Sequence, residues 1–452
     1  MKQFTLLFFC SIGWSQIKIT PPDISGLRAF GLSADMYQNQ VIVGHNNVLT
    51  NLNAVSFHTL QNGASTIDAT FTSQGTVGDG FGERVKIDGE IAVVAASADD
   101  EAGTNAGAVY LFKKSNGIWN LSEKIMAPNP AANDHFGEGI ALYGTTLFVG
   151  APNHDGESTD SGCVYVFNVS GNAVLESTIL QPGSSKFGEK LAADNQSLAV
   201  LSTPASMNCQ TYVYYKESDW QLKQTIPAFG DASVIDFDFD GDKFYHLRQG
   251  DITSNIVSIY QWMGSTLSFE QDLSISHQDY ILGSIAVKGN RMFLGATYYV
   301  LLMSRNWSLA YYSYINDAWQ FQDTFSGFGT QGMDDSFGQT VLLSDNYWVA
   351  TAPSETINFF LEGAVYFDEV PNLSTDNYEA NSVSIYPNPA TETIFIAPTI
   401  PILTAEIVDM QGRIIMQSSE NTIPVSGFQP GIYFVRMTLT DQTTFTKSFI
   451  KK

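Results

Sequence analysis

The sequence predicts an all-β protein, a seven-bladed β-propeller followed by a small immunoglobulin-like β-sandwich. Three observations lead there. A repeat starts seven times between residues 30 and 337, a hairpin signature recurs at one place within it, and a strand-rich segment of different pattern follows a polar linker.

Five copies open on a Phe-Gly pair: Phe30-Gly31, Phe81-Gly82, Phe136-Gly137, Phe187-Gly188 and Phe337-Gly338. Two degenerate copies open on Ser233-Val234 and Ile281-Leu282. The starts lie on average about fifty-one residues apart, which suits a four-stranded blade. In the copy from Phe136 to Pro152, apolar alternation on both sides of Tyr143-Gly144 implies two strands joined by a tight hairpin. Asp88-Gly89, Asp194-Asn195, Asp240-Gly241, Gly289-Asn290 and Asp345-Asn346 occupy that hairpin in other copies. A third strand follows, as in Gly107 to Phe112, Gly162 to Phe167 and Gly363 to Phe367. The fourth strand carries Trp119, Trp220 and Trp319 in three copies. Large rings recurring in register are expected to fill the wedge between twisted blades.

The last copy, from Phe337 to about Val370, has three strands only. Residues 16–22, with Gln16-Ile17-Lys18-Ile19, are expected to add the fourth and close the ring of a propeller domain spanning 16–370, leaving no open sheet edge. Residues 1–15 read as a signal peptide: Lys2, an apolar stretch from Phe4 to Ile12, and Gly13-Trp14-Ser15 before a cleavage point at Gln16. Cys10 follows Phe8-Phe9, where a lipidation signal wants small residues. No stretch approaches the roughly 20 apolar residues of a membrane span, so no transmembrane segment is expected. A linker over 371–381 leads to the last domain, 382–452.

The chain has 22 basic and 46 acidic residues, a formal net charge of -24. That excess repels phosphate backbones and anionic lipid, which argues against nucleic acid as a partner. The six histidines are scattered singly, without metal-ligand spacing. Cys163 and Cys209, the cysteines left after leader removal, could pair in an exported chain or stay as separate thiols.

The Phe-Gly opening followed by Val149-Gly150-Ala151-Pro152 resembles the FG-GAP repeat of the integrin α-subunit propeller and its bacterial relatives, over roughly residues 16 to 370. In that family the first hairpin often holds calcium through a D-x-D-x-D-G loop. One copy keeps those letters, as Asp236, Asp238, Asp240 and Gly241. The resemblance makes calcium the one candidate cofactor, and none is required. The competing reading is a tight turn at Asp240-Gly241, with Asp236 and Asp238 on the solvent face of a strand.

The last domain opens on Ser382 to Pro389, continues through Glu406 to Arg413 and Pro430 to Arg436, and ends on Lys447 to Lys452. It resembles the type A C-terminal sorting domain of the Bacteroidetes type IX secretion system. That implies passage through the periplasm, contact between 382–452 and the secretion machinery, and a final location in the medium or attached to the outer-membrane surface. The alternative is an ordinary immunoglobulin-like module that helps bind a ligand.

Three functions are open at this level. A binding or adhesion propeller would use the face formed by the loops between second and third strands and those entering each blade. That face carries Asp99, Asp100, Glu101, Asp134, Asp155, Glu157, Asp160, Asp334 and Asp335, an acidic rim suited to a cation-bridged glycan or a basic protein. A secreted polysaccharide lyase or hydrolase would need two of its carboxylates held about 5 to 9 Å apart, and no motif selects such a pair or any other catalytic residue. A structural surface component is a third reading.

Overall fold

The computed structural model describes residues 17–19, 28–46, 53–75, 77–203, 209–227, 234–249, 255–275, 280–300, 304–326, 336–357, 360–370, 384–386, 390–397, 402–409, 413–439 and 444–452. The leader and the linker lie outside these residues, as do Asp334 and Asp335. The described residues are strands and turns without a helix. The chain divides into two compact units, Met1–Val370 and Pro371–Lys452.

The first unit holds seven four-stranded antiparallel sheets and a two-stranded one of Thr356–Ile357 with Phe360–Leu361. Blade two shows the plan, with strands Val85–Asp88, Ile91–Ala96, Ala108–Ser115 and Ile118–Ile125 side by side in chain order. The first strands of the other blades are Arg28–Tyr37, Ile140–Tyr143, Lys190–Asp194, Val234–Asp240, Tyr280–Lys288 and Val341–Leu343. Each neighbours the first strand of the next blade, and that of blade seven meets blade one, so the seven sheets form a closed ring. Blade seven takes its outer strand from the start of the chain: Ile17–Ile19 pairs antiparallel with Ala364–Glu369, Ile17 opposite Phe367 and Ile19 opposite Val365.

The core lies between the blades. Seven apolar clusters each draw on two adjacent sheets, one cluster at every interface. This accounts for the near-continuous apolar second strands, such as Ile91–Ala96 and Ser197–Ser202, which are covered on both faces. Fourth strands such as Ala64–Thr72 are covered on one face and alternate. The three fourth-strand tryptophans all reach into the preceding blade, Trp119 stacking on Phe57 at 4.5 Å, Trp220 meeting Phe148 at 5.1 Å and Trp319 meeting Tyr245 at 6.1 Å.

The Phe-Gly pair joins two blades through its backbone. Phe136 N donates to Ala106 O of blade two at 3.0 Å, and Gly137 N donates to Gly150 O of blade three at 2.9 Å. Phe187 and Phe30 repeat the bond to the preceding blade, Phe187 N to Ser161 O at 3.2 Å and Phe30 N to Glu362 O at 2.9 Å. All five phenylalanines are buried. Such close backbone approach excludes a side chain: Gly137 has φ 103°, and a Cβ on Gly107 would lie 2.2 Å from Phe136 O.

The second unit has two sheets. One holds Ser384–Tyr386, Thr393–Ala397 and Thr422–Pro424; the other runs Ile414–Ser418, Ile402–Val408, Gly431–Leu439, Thr444–Lys451. Side chains of both, including Ile394, Ile396, Ile407, Val435, Met437 and Phe449, form one core. The final strand pairs along Gly431–Leu439, and Lys452 N donates to Ala390 O at 2.9 Å.

Phe136→Ala should cost about 3–5 kcal/mol by emptying a blade interface. Leu222→Ala, at an exposed position, should stay within about 0.5 kcal/mol in the same denaturant titration.

Three histidines are buried neutral. His45 and His58 flank Phe30, and the His246 ring meets Thr211 Oγ1 at 2.9 Å across a blade interface. Burial lowers His45 and His58 to about 4 and His246 to about 3. The unfolded chain, with imidazoles near 6.5, then binds more protons than the folded one between about pH 6.5 and 4, and stability falls as pH falls through that window. His246→Gln should flatten this loss by up to about 1.4 kcal/mol per pH unit, read from unfolding midpoints at pH 7, 6 and 5.

Candidate functional site

In this topology, the loops between second and third strands and those between blades share one face of the ring. On that face Asp99 is buried, and its carboxylate takes Lys124 Nζ at 3.0 and 2.8 Å, Glu101 N at 3.1 Å and Tyr110 OH at 3.4 Å. Glu101 reaches the same ammonium at 2.6 Å. Desolvation opposes the charge of Lys124, but these two carboxylates hold its pKa above the ordinary value. Asp134 is likewise buried and accepts from Ala131 N at 3.1 Å, with His154 Nδ1 3.2 Å away. Asp100 accepts from Asn105 N at 2.7 Å, Asp155 from Asp160 N at 3.0 Å, and Asp160 lies 3.4 Å from Lys186.

The rim thus divides by burial. Asp99 and Asp134 brace the loops from below, whereas Asp100, Glu101, Asp155 and Glu157 are exposed. Blade seven repeats the brace: Glu355, buried, accepts Tyr366 OH at 2.5 Å and Lys18 Nζ at 2.6 Å. Lys18 belongs to the closing strand, so the ring seam is held by the same chemistry as an internal blade.

The second feature is a cavity of about 950 Å³ at the centre of the ring, lined by first strands and by the hairpins at Gln38-Asn39 and Asp345-Asn346. First strands have no sheet partner on the channel side, so their amides need other acceptors. Aspartates of the preceding blade supply them. Asp35 takes Ile87 N at 2.8 Å, Asp88 takes Gly144 N at 2.6 Å, and Asp236, Asp238 and Asp240 take Ile285 N, Val287 N and Gly289 N at 3.0, 2.8 and 2.7 Å.

This arrangement settles where the D-x-D-x-D-G letters go. The three carboxylates stand at alternate positions along the strand Val234–Asp240 and serve three separate amides of blade six. They do not converge as calcium ligands do, and among the described residues no group of three or more His, Cys, Asp or Glu side chains is placed to hold a metal. Asp236 and Asp238 line the channel, not an outer solvent face.

Two ion pairs also line the channel, Lys86 with Asp35 at 3.2 Å and Lys190 with Asp236 at 2.7 Å. Desolvation raises Asp35 against the pull of Lys86. It raises Asp238 to about 7, against the Val287 amide and with the repulsion of Asp236. Desolvation opposes charge on Lys86, yet Asp35, Asp238 and Asp236 together hold its pKa above the ordinary value. Asp35, Lys86, Lys190, Glu355 and Lys18 escape motif reading. The available signal was polar residues at alternate positions of apolar strands, which marks a face and not a neighbour. Cys163 and Cys209 are free and buried, and burial pushes the Cys163 thiol up to about 12.

Comparison with known proteins bears on both units. Residues 71–112 and 119–167 match the FG-GAP repeat, and residues 384–452 match the secretion system C-terminal sorting domain. No curated protein matches the chain. Among solved structures, one described as "COPII on membranes, outer coat vertex" has a TM-score of 0.51 at 8% identity, over 87% of this chain and 99% of that one. A second, "The structure of the COPII coat assembled on membranes", has 0.51 at 9% identity, over 90% and 56%. The β-propeller domain of the Trilobed protease from Pyrococcus furiosus has 0.44 at 10% identity, over 78% and 99%. Likeness at such identity concerns fold alone. The chain carries FG-GAP repeats within its propeller and a type IX secretion C-terminal sorting domain at residues 384–452, which directs export to the cell surface or extracellular space.

Proposed function

We propose that the exported propeller is a binding module that engages its ligand on the loop face. The observation behind this reading is the division of the rim carboxylates. Asp99, Asp134 and Glu355 clamp the loops from below, while Asp100, Asp155 and Glu157 stand exposed above them. Loops fixed before encounter lose little entropy on binding. Exposed carboxylates on a chain of net charge -24 favour a basic protein surface or a glycan bridged by a cation.

The secreted protein should bind saturably to a basic matrix protein or an anionic glycan in an array of both. Asp100→Asn, Asp155→Asn and Glu157→Gln combined should weaken that binding by about tenfold, roughly 1.4 kcal/mol, without changing thermal stability. Binding to a glycan that disappears on chelation supports cation bridging. Absence of any saturable partner, or turnover of a polysaccharide, overturns the reading.

Export depends on the second unit, whose last strand closes one edge of its larger sheet. Deleting residues 447–452 removes much of the pairing along Gly431–Leu439 and the bond from Lys452 N to Ala390 O. Cell fractionation should then find the protein in the periplasm. Unaltered secretion would show that the tail is dispensable.

A further inference from the structure

The central channel carries a charge arrangement that ring closure alone does not require. Four aspartates and three lysines line it: Asp35 with Lys86, Asp236 with Lys190, Asp238, Asp345, and Lys288, which pairs with Asp240. Lys86 and Lys190 form ion pairs with the first two carboxylates, and Lys288 with Asp240. Asp238 holds one amide on each oxygen, Phe239 N at 2.9 Å on Oδ1 and Val287 N at 2.8 Å on Oδ2. Among the described residues no ammonium or guanidinium is recorded as an ion pair with it. Each of its oxygens keeps a lone pair, and the lining groups together, four carboxylates against three ammoniums, carry one negative charge in excess.

We propose that this channel binds a small polar ligand through a primary ammonium group seated against Asp238. The volume of about 950 Å³ accommodates a ligand the size of an amino sugar or amino acid. An anion is disfavoured by the excess of carboxylate. A hard divalent cation needs several converging oxygens, and the amides of blade six already hold Asp236, Asp238 and Asp240 apart. An ammonium needs one carboxylate and a few neutral acceptors. Lys86 and Lys190 on the remaining wall favour a hydroxylated or anionic body behind the amine and disfavour a diamine.

A proton competes for the same place. The charged groups around Asp238 are Asp236, Lys190, Lys86 and Asp35, with the Lys288 and Asp240 pair 3.3 Å apart toward the hairpin end. Burial raises Asp238 to about 7, with Asp236 adding to the rise and the Val287 amide and Lys86 opposing it. A bound ammonium favours the ionised carboxylate, so affinity should be full above pH 7 and fall up to tenfold per unit below it.

The test uses the full exported chain and isothermal titration with glucosamine, N-acetylglucosamine and 1,3-diaminopropane between pH 6 and 8.5. Glucosamine should bind at pH 8, where a fraction of its amine is charged, with Kd on the order of 1 mM or tighter. N-acetylglucosamine, of the same body without the charge, should bind at least tenfold more weakly. The diamine should bind more weakly than glucosamine. Asp238→Asn should remove the difference between the two sugars, and Asp100→Asn on the loop face should preserve it. That control separates this site from the proposed loop-face function. Should Asp238→Asn fail to fold, the wild-type pH profile, corrected for ionisation of the amine, decides alone. Equal binding of the two sugars, no saturation by glucosamine, or a corrected affinity that stays flat from pH 6 to 8 overturns the proposal.

Discussion

The backbones of the Phe-Gly pairs at Phe136 and Phe187 are each bonded to two blades at once, and the architecture follows from that double attachment. The amides of Phe30, Phe136 and Phe187 tie the loop before the third strand of the preceding blade, the amides of Gly82, Gly137, Gly188 and Gly338 tie the second strand of their own sheet, and the buried phenylalanine rings seal the interfaces. A bulkier residue in place of glycine would separate the blades, because the neighbouring carbonyl already stands at contact distance. Blade seven draws its outer strand from residues Ile17–Ile19. Phe30 N to Glu362 O and Lys18 to Glu355 hold that seam by the same two devices found elsewhere. The seam is therefore chemically an ordinary blade interface, though it joins the two ends of the propeller.

Packing seven sheets around an axis leaves the innermost strands with amides and no strand partners. The chain answers with aspartates that reach across to the next blade, and lysines return part of the charge. The result is a polar channel inside an otherwise apolar ring. Its aspartates serve the fold by satisfying amides. Among the described residues Asp238 has no lysine as an ion-pair partner, which sets it apart from Asp35 and Asp236. The loop face uses burial differently. There the buried Asp99 and Asp134 tie loops to the groups beneath them, while the exposed Asp100 and Asp155 each take one amide of their own loop and face solvent.

Most of the fold was legible because its determinants are local and repeated. Turn residues at Asp88-Gly89 or Asp240-Gly241 and alternation along each strand report directly on hairpins, and the recurring Phe-Gly pair reports on blade starts. The interblade role of the tryptophans followed from their register. The candidate sites were less legible. Asp99 and Asp100 read alike in sequence, yet one lies beneath the loops and the other on top. The D-x-D-x-D-G letters matched a calcium loop, but in a strand of period two the same spacing places three carboxylates against three successive amides of the next blade.

By itself the sequence determined the all-β class, the number of repeats and the sorting tail, because periodicity, turn chemistry and a contiguous terminal motif are written along the chain. Only the tertiary structure decided which polar residues meet. Alternation tells which face a side chain occupies, not which strand it looks across to. Closure of the ring brings Lys86 of blade two and Asp238 of blade five into one electrostatic group, and that proximity exists only once all seven sheets are in place.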